Sequence, residues 1–349
     1  MGRRRKKSKK HSGLVSVVVL AVMILGCLGV FGKNGEESKP STDQITDLDE
    51  TLVEMDQKKV SEEPVQKLEQ KEASDDTDKE SDLENPPIVD GKMTVHFLDV
   101  GQGLSVFVQC DGKNLIYDGG DRGSSSQVVA YLKNLDVTTI DYLISSHYDA
   151  DHVSGLIGCL NVFDVKNVLC ADYVHDSKTY QSFISTVTEK GLEMQHPTVG
   201  TEYEFGSGSF TVLAPEQFRD GESNENSIAI RLVHGENSFL ITGDAEHDSE
   251  DAMCRSGLEL ESTVLVPGHH GSATATTWDF LMKVVPEYAV ISCGAGNSYG
   301  HPHEETMEKL EAMEVEVFRT DKQGYISAVS DGTHLEWSQQ PCNDYSDGD

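Results

Sequence analysis

The densest chemistry in this 349-residue chain is the run Ser146-His147-Tyr148-Asp149-Ala150-Asp151-His152. Four potential metal ligands, His147, Asp149, Asp151 and His152, fall within six residues, directly after an apolar stretch. A regular strand would point half of them away, whereas a loop leaving a strand can fold them around one ion. Imidazole with carboxylate suits zinc, manganese or iron. The bland alternative is a polar loop in which His147 or His152 caps the next helix. Three further clusters have the same placement. Asp244 follows the apolar run 239–242, where its two oxygens can bridge a pair of ions or cap a helix. His269 and His270 sit in a Gly-flanked loop after 264–266. One of them can bind metal while the other touches substrate or donates a proton. In Asn297-Ser298-Tyr299-Gly300-His301-Pro302-His303, His301 is the better site candidate, and His303 suits a helix cap.

Positioning these residues requires strands that end on one rim. Hydrophobic alternation and turn residues predict strands over 93–100, 104–109 and 114–118, around turns at Gly101-Gln102-Gly103 and Asp111-Gly112. A helix over 125–135, a strand over 140–145 and a helix from about Val153 follow, then a strand over 168–171 and a helix over 177–190. Strands over 209–213, 227–233, 238–242, 264–266, 289–292 and 315–319 come next, with helices over 276–284 and 304–313. A hairpin over 324–337 turns at Asp331-Gly332. Antiparallel strands give way to strand–helix alternation in two halves, which fits two sheets sandwiched between helices. All four clusters follow the C-terminal ends of strands, so one edge of the sheets collects them. The polar stretch 339–349 is expected to fray.

Charge divides the chain differently. The formal net charge is −32. Residues 1–32 carry seven Lys/Arg and no acid, residues 33–90 carry 19 acids against seven bases, and residues 91–349 therefore hold a net −27. So acidic a domain repels polyanions at long range, which opposes a broad nucleic-acid-binding surface. A bound divalent ion can still dominate the local field. Residues 13–32 are uncharged and apolar, near the ~20 residues that span a bilayer core. With the basic Arg3–Lys10 cluster before them, they predict a signal anchor with everything after residue 32 outside. A lipoprotein signal at Ile24-Leu25-Gly26-Cys27 and a cleaved signal peptide are the competing readings. Residues 33–90 contain no aromatic residue and read as a disordered acidic spacer. The domain proper is expected over 91–338. The seven Cys residues form no CxxC pair, which weakens both thiolate-metal and disulfide-scaffold readings.

Taken together, His96–Gly103, Ile116-Tyr117-Asp118-Gly119-Gly120, His147–His152, Asn226-Ser227, Thr242–Glu246, His269-His270-Gly271-Ser272 and Tyr299–His303 resemble the metallo-β-lactamase superfamily. They look most like the C-terminal, extracellular hydrolase domain of ComEC-type competence proteins. The resemblance implies an αββα four-layer sandwich, of mixed α/β class, with a site for one or two divalent ions, zinc or manganese. It implies His147 and Asp149 at the first metal, Asp151 and His152 at the second, Asp244 bridging, and His270 or His269 completing the set. Asp151, His269 and His301 are the expected catalytic groups, and Asp118 matches the family's first motif. Asp149 stands where many members have a second His, which makes the site harder. Leu104 replaces a usual Asp, and the family's middle His has only His175 and His196 as candidates. The implied activity is phosphodiester hydrolysis, with nucleic acid or a small phosphoester as substrate. Hydrolysis of a small ester or lactone, and a non-catalytic binding module, are the alternatives.

Overall fold

The computed structural model describes residues 91–348. The anchor expected over 13–32 and the spacer over 33–90 lie outside the described residues. Among the described residues no helix is long and apolar enough to cross a membrane.

The first half runs β1 (Met93–Phe97), β2 (Val106–Cys110), β3 (Lys113–Tyr117), α1 (Ser125–Asn134), β4 (Thr139–Ser145), α2 (Ala150–Val162), β5 (Asp164–Cys170), α3 (Lys178–Glu189) and β6 (Met194–Gln195). The second runs β7 (Glu202–Phe205), β8 (Gly208–Ala214), β9 (Ala229–His234), β10 (Asn237–Ile241), α4 (His247–Arg255), β11 (Val264–Val266), α5 (Trp278–Val284), β12 (Tyr288–Ile291), α6 (Glu304–Ala312), β13 (Glu316–Arg319) and α7 (Thr320–Gln323). The hairpin β14 (Ile326–Ser330) and β15 (Leu335–Trp337) then returns to the first sheet, pairing β14 with β1. One sheet has the order β15-β14-β1-β2-β3-β4-β5-β6 and the other β13-β12-β11-β10-β9-β8-β7.

Strand alternation builds the four layers. Val106 and Val108 point inward with Phe239 and Ile241 into a core shared by both sheets. Phe107 points the other way, onto Val128, Leu132 and Leu156 of the first helical layer. Leu240, between Phe239 and Ile241, meets Met253, Phe280 and Leu310 of the second. Successive strand side chains face opposite sides, so strands such as β2 and β10 are apolar on both faces and need cover on both. The αββα expectation is met.

Several boundaries differ. Helix α2 begins at Ala150, not Val153, so Asp151 and His152 stand on its first turn rather than in a loop. Helix α4, raised in the sequence only as what Asp244 could cap, starts after Glu246 instead and carries little pattern, because Met253 is the sole apolar side chain that it buries. The stretch after 338 does not fray. It runs back along β13, where Cys342 and Asn343 donate backbone N–H groups to Val317 O, and Tyr345 donates to Val315 O at 2.7 Å. The fully buried Arg319 guanidinium needs this strap. It pairs with Asp321 and donates to the carbonyls of Asp344 and Ser346. A buried cation left without those acceptors is strongly unfavourable, which orders a polar segment that carries no hydrophobic pattern.

Candidate metal centre

Strands β3, β4 and β5 are parallel, as are β10, β11, β12 and β13. Their C-terminal ends meet on one rim. Asp118 follows β3, His147–His152 follow β4, Asp244 follows β10, His269 and His270 follow β11, and His301 lies in the loop after β12. Close approach makes the rim possible. A Cβ on Gly155 would sit 1.7 Å from Gly119 O, so only glycine lets the β3 loop rest on α2. There Gly119 N donates to His152 O at 2.7 Å. After β11, His269 and His270 both take left-handed backbone, with φ of 49° and 57°. Such a conformation costs roughly 1–2 kcal/mol per non-glycine residue, and here it turns His270 inward.

Two groups of donor atoms result, His147 with His152 and Asp244, and Asp151 with His152 and His270. His152 Nε2 lies 3.1 Å from Asp244 Oδ1 and 3.9 Å from Asp151 Oδ2. His270 Nε2 lies 3.4 Å from Asp151 Oδ2 and 3.6 Å from Asp244 Oδ1. His147 Nε2 lies 3.7 Å from Asp149 Oδ2 and 3.9 Å from Asp244 Oδ2.

Each imidazole is oriented from behind. His152 Nδ1 donates to Asp118 Oδ2 at 2.8 Å, and His270 Nδ1 donates to Ser292 O at 2.9 Å. Ser146 Oγ donates to Asp118 Oδ2 at 2.7 Å and so accepts from His147 Nδ1 at 2.9 Å. Asp118 thus holds two rings, one directly and one through Ser146. With every Nδ1 committed to an acceptor, a neutral ring presents a bare lone pair at Nε2. The His152 and His270 Nε2 atoms then face each other at 3.3 Å. His147 Nε2 and Asp244 Oδ1 are buried with no hydrogen-bond partner. Lone pairs aimed at one another in a buried site require a proton or a cation between them. The residues fit a divalent ion.

Electrostatics agree. Burial pushes the Asp244 carboxyl up, but the His152, His270 and His147 imidazoles outweigh it and hold the group well below the usual range. Burial pushes His152 down, yet Asp244, Asp118 and Asp151 raise it well above its usual value. Four carboxylates converge on three imidazoles, so the cluster demands positive charge.

The remaining expected residues sit around this core. Asp149 is 37% exposed at its side chain and accepts from Ser223 Oγ at 2.6 Å. His175 reaches the same carboxylate at 3.6 Å, whereas His196 is turned away, against Cys170 O and Asp172. Neither joins His147 and Asp244. Leu104 is buried in the apolar core and ties the rim only through its backbone, donating to Asp151 O. His269 Nδ1 donates to Glu246 Oε1 at 2.9 Å, and its Nε2 lies 3.9 Å from Asp244 Oδ2. Burial lowers this imidazole, but Glu246 and Asp244 outweigh that and raise it. His301 is buried, mainly for that reason lowered to about 4, and its ring lies 5.2 Å from that of His269. His303 does not cap α6 with its side chain; it accepts from Ala273 N and donates to Tyr299 O. Unanticipated contributors are Gln102, Ser146, Ser223 and Ser292, together with Ser227. The Ser227 hydroxyl contacts His147 Nδ1 at 3.3 Å and accepts from Asp244 N. Gln102, Ser146 and Ser227 lie in segments that the sequence singles out, His96–Gly103, Ser146–His152 and Asn226-Ser227, whereas Ser223 and Ser292 carry no such signal.

Comparison with known proteins agrees with this geometry. The model of the metallo-beta-lactamase superfamily matches residues 98–295, more than half of the chain, and the chain belongs to that superfamily. The fold and the donor clusters define a metal-binding hydrolase. The chain is 28% identical over 280 residues to ComE operon protein 3 of Bacillus subtilis (strain 168), covering 75% of this chain and 36% of that protein. It is 31% identical over 241 residues to competence protein ComA of Neisseria gonorrhoeae, covering 68% and 32%. It is 31% identical over 237 residues to recombination protein 2 of Haemophilus influenzae, covering 66% and 28%. The chain thus spans about a third of the length of these relatives.

Proposed function

We propose that this domain is a divalent-metal-dependent phosphodiesterase acting on nucleic acid. The observation that carries the hydrolytic part is the pair of Nε2 atoms of His152 and His270 that face each other at 3.3 Å beside Asp151 and Asp244. The nucleic-acid part rests on two of the relatives, which are named for competence and for recombination.

Asp151, His152, His270 and Asp244 would hold one ion, and His147, Asp149 and Asp244 a second. Such ions, zinc or manganese, supply Lewis-acid activation of water and neutralise charge on the scissile phosphoryl group. Asp151, one-third exposed at its side chain, faces both the cluster and solvent, where it can orient an attacking water and accept its proton. The Glu246 carboxylate keeps His269 Nδ1 protonated and favours the charged ring, which suits it to protonate the leaving oxygen. His301 works neutral. Gln102 Oε1 accepts from Gly294 N, so its amide NH₂ donates to His301 Nδ1 and leaves Nε2–H to bind a phosphoryl oxygen.

Metal-loaded full-length protein should cleave single-stranded DNA with manganese or zinc, and Asp151→Ala should lose that cleavage. Metal-dependent cleavage absent from the wild type, or surviving in the variant, would sink the reading. The net −27 on residues 91–349 favours a second reading, a small ester, lactone or phosphoester hydrolase. Faster turnover of small chromogenic esters than of any oligonucleotide would select it. The basic cluster and apolar run within residues 1–32 support an extracellular domain on a single span, with residues 33–90 as its tether. Protease added to intact cells should then remove the domain.

A further inference from the structure

The loop after β12 carries a feature that the metal centre does not use. Of the Phe, Tyr and Trp side chains described, only Trp278 and Tyr299 are exposed, Tyr299 at 65%. The Tyr299 ring lies beside and nearly parallel to that of His301, with centroids 5.6 Å apart and planes 19° from parallel. His301 in turn lies 6.0 Å from the His270 ring and 5.2 Å from the His269 ring. Two ring contacts therefore lead from a metal-cluster imidazole to a solvent-facing phenol.

The loop is braced from within. Asn297 Oδ1 accepts from Tyr299 N at 3.1 Å and His301 N at 3.0 Å, while its Nδ2 donates to Gly294 O and His301 O. His303 Nε2 adds a bond to Tyr299 O at 3.1 Å. Every one of these bonds fixes the backbone beneath the ring, so the phenol is presented with little ordering left to lose on binding. An exposed aromatic face at the mouth of a site is a surface for another flat ring, and base–aromatic stacking is worth about 1–3 kcal/mol per base. Residues 294–303 contain no Lys or Arg, and the domain repels long polyanions. Recognition here must come from the base and not from phosphate charge.

We propose that Tyr299 is the stacking platform for the base beside the scissile phosphodiester. This rests on the phosphodiesterase reading and narrows it to single-stranded substrate, because duplex bases are already stacked on one another. His301 is then shared: its outer face supports Tyr299, and its Nε2–H meets the phosphoryl group.

The test uses full-length, metal-loaded protein and two single-stranded oligonucleotides, one intact and one abasic beside the cleaved linkage. Wild type should cleave the intact strand about tenfold faster in kcat/KM than the abasic strand or the duplex. Tyr299→Ala should lose that preference with bound metal unchanged, and Tyr299→Phe, which keeps the ring, should retain it. Equal rates for wild type and Tyr299→Ala on both strands would overturn the platform while leaving the phosphodiesterase standing. No cleavage of either strand by wild type would overturn both.

Discussion

The two halves of the candidate metal cluster are built differently, although Asp244 reaches both, its Oδ1 lying 3.6 Å from His270 Nε2 and its Oδ2 3.9 Å from His147 Nε2. Around His152 and His270, both rings are fully or almost fully buried, and each Nδ1 is locked at 2.8–2.9 Å. Asp151 completes that half. Around His147 the second protein donor is Asp149, more than a third exposed and held through its other oxygen by Ser223. Neither His175, set against Asp149, nor His196, set against Asp172, adds an imidazole to that half. One half is a rigid pocket with two buried imidazoles; the other has a partly exposed carboxylate and is open to water. The first should hold its ion tightly, and the second should exchange it and tolerate harder ions such as manganese.

The largest expected effect tests what the halves share. Asp244→Asn removes the one carboxylate common to both. Bound metal in the purified protein should fall below one ion per chain by elemental analysis, and kcat/KM should drop by about a thousandfold or more. Retention of one full ion would show that the halves are independent. Next comes a paired comparison. Asp151→Asn should weaken the tighter metal-binding step by more than about 100-fold, beyond the usual loss for an outer-sphere partner. Asp149→Asn should weaken only the looser step, by about tenfold. Equal losses in a metal titration would break the distinction between the pockets.

Much of the candidate site's geometry was legible because side chains that follow strand ends share a rim whatever their loops do. His147, Asp151, His152 and Asp244 needed only that rule. The choice between His269 and His270 did not follow from it. It depends on two left-handed residues in succession, which no side-chain pattern announces. The serines were hidden for a related reason. Ser146, Ser223 and Ser227 act through hydroxyls aimed by loop geometry, and serine is equally at home in any loop. The same limit explains the C-terminal strap, whose partner is one buried arginine and not an apolar face.

Ser223 gives the smallest and most selective test. Its Oγ donates to Asp149, an acceptor-only carboxylate, so it must accept from Tyr173 OH at 2.9 Å. Tyr173 OH in turn accepts from Tyr148 N at 3.1 Å, which ties the relay to the backbone of the ligand loop itself. Ser223→Ala cuts this relay but leaves Asp149 exposed enough for water to replace the lost donor. The loss should therefore be below the ~1.5–3 kcal/mol of a buried charge-assisted bond, a few-fold in affinity at the looser step. The tighter step, whose rings are held by Asp118 and Ser292, should not move, and Ser223→Thr should restore the wild-type titration. A parallel weakening of both steps would mean that the 223–227 loop supports the whole cluster, with Ser227 rather than Ser223 as its working contact.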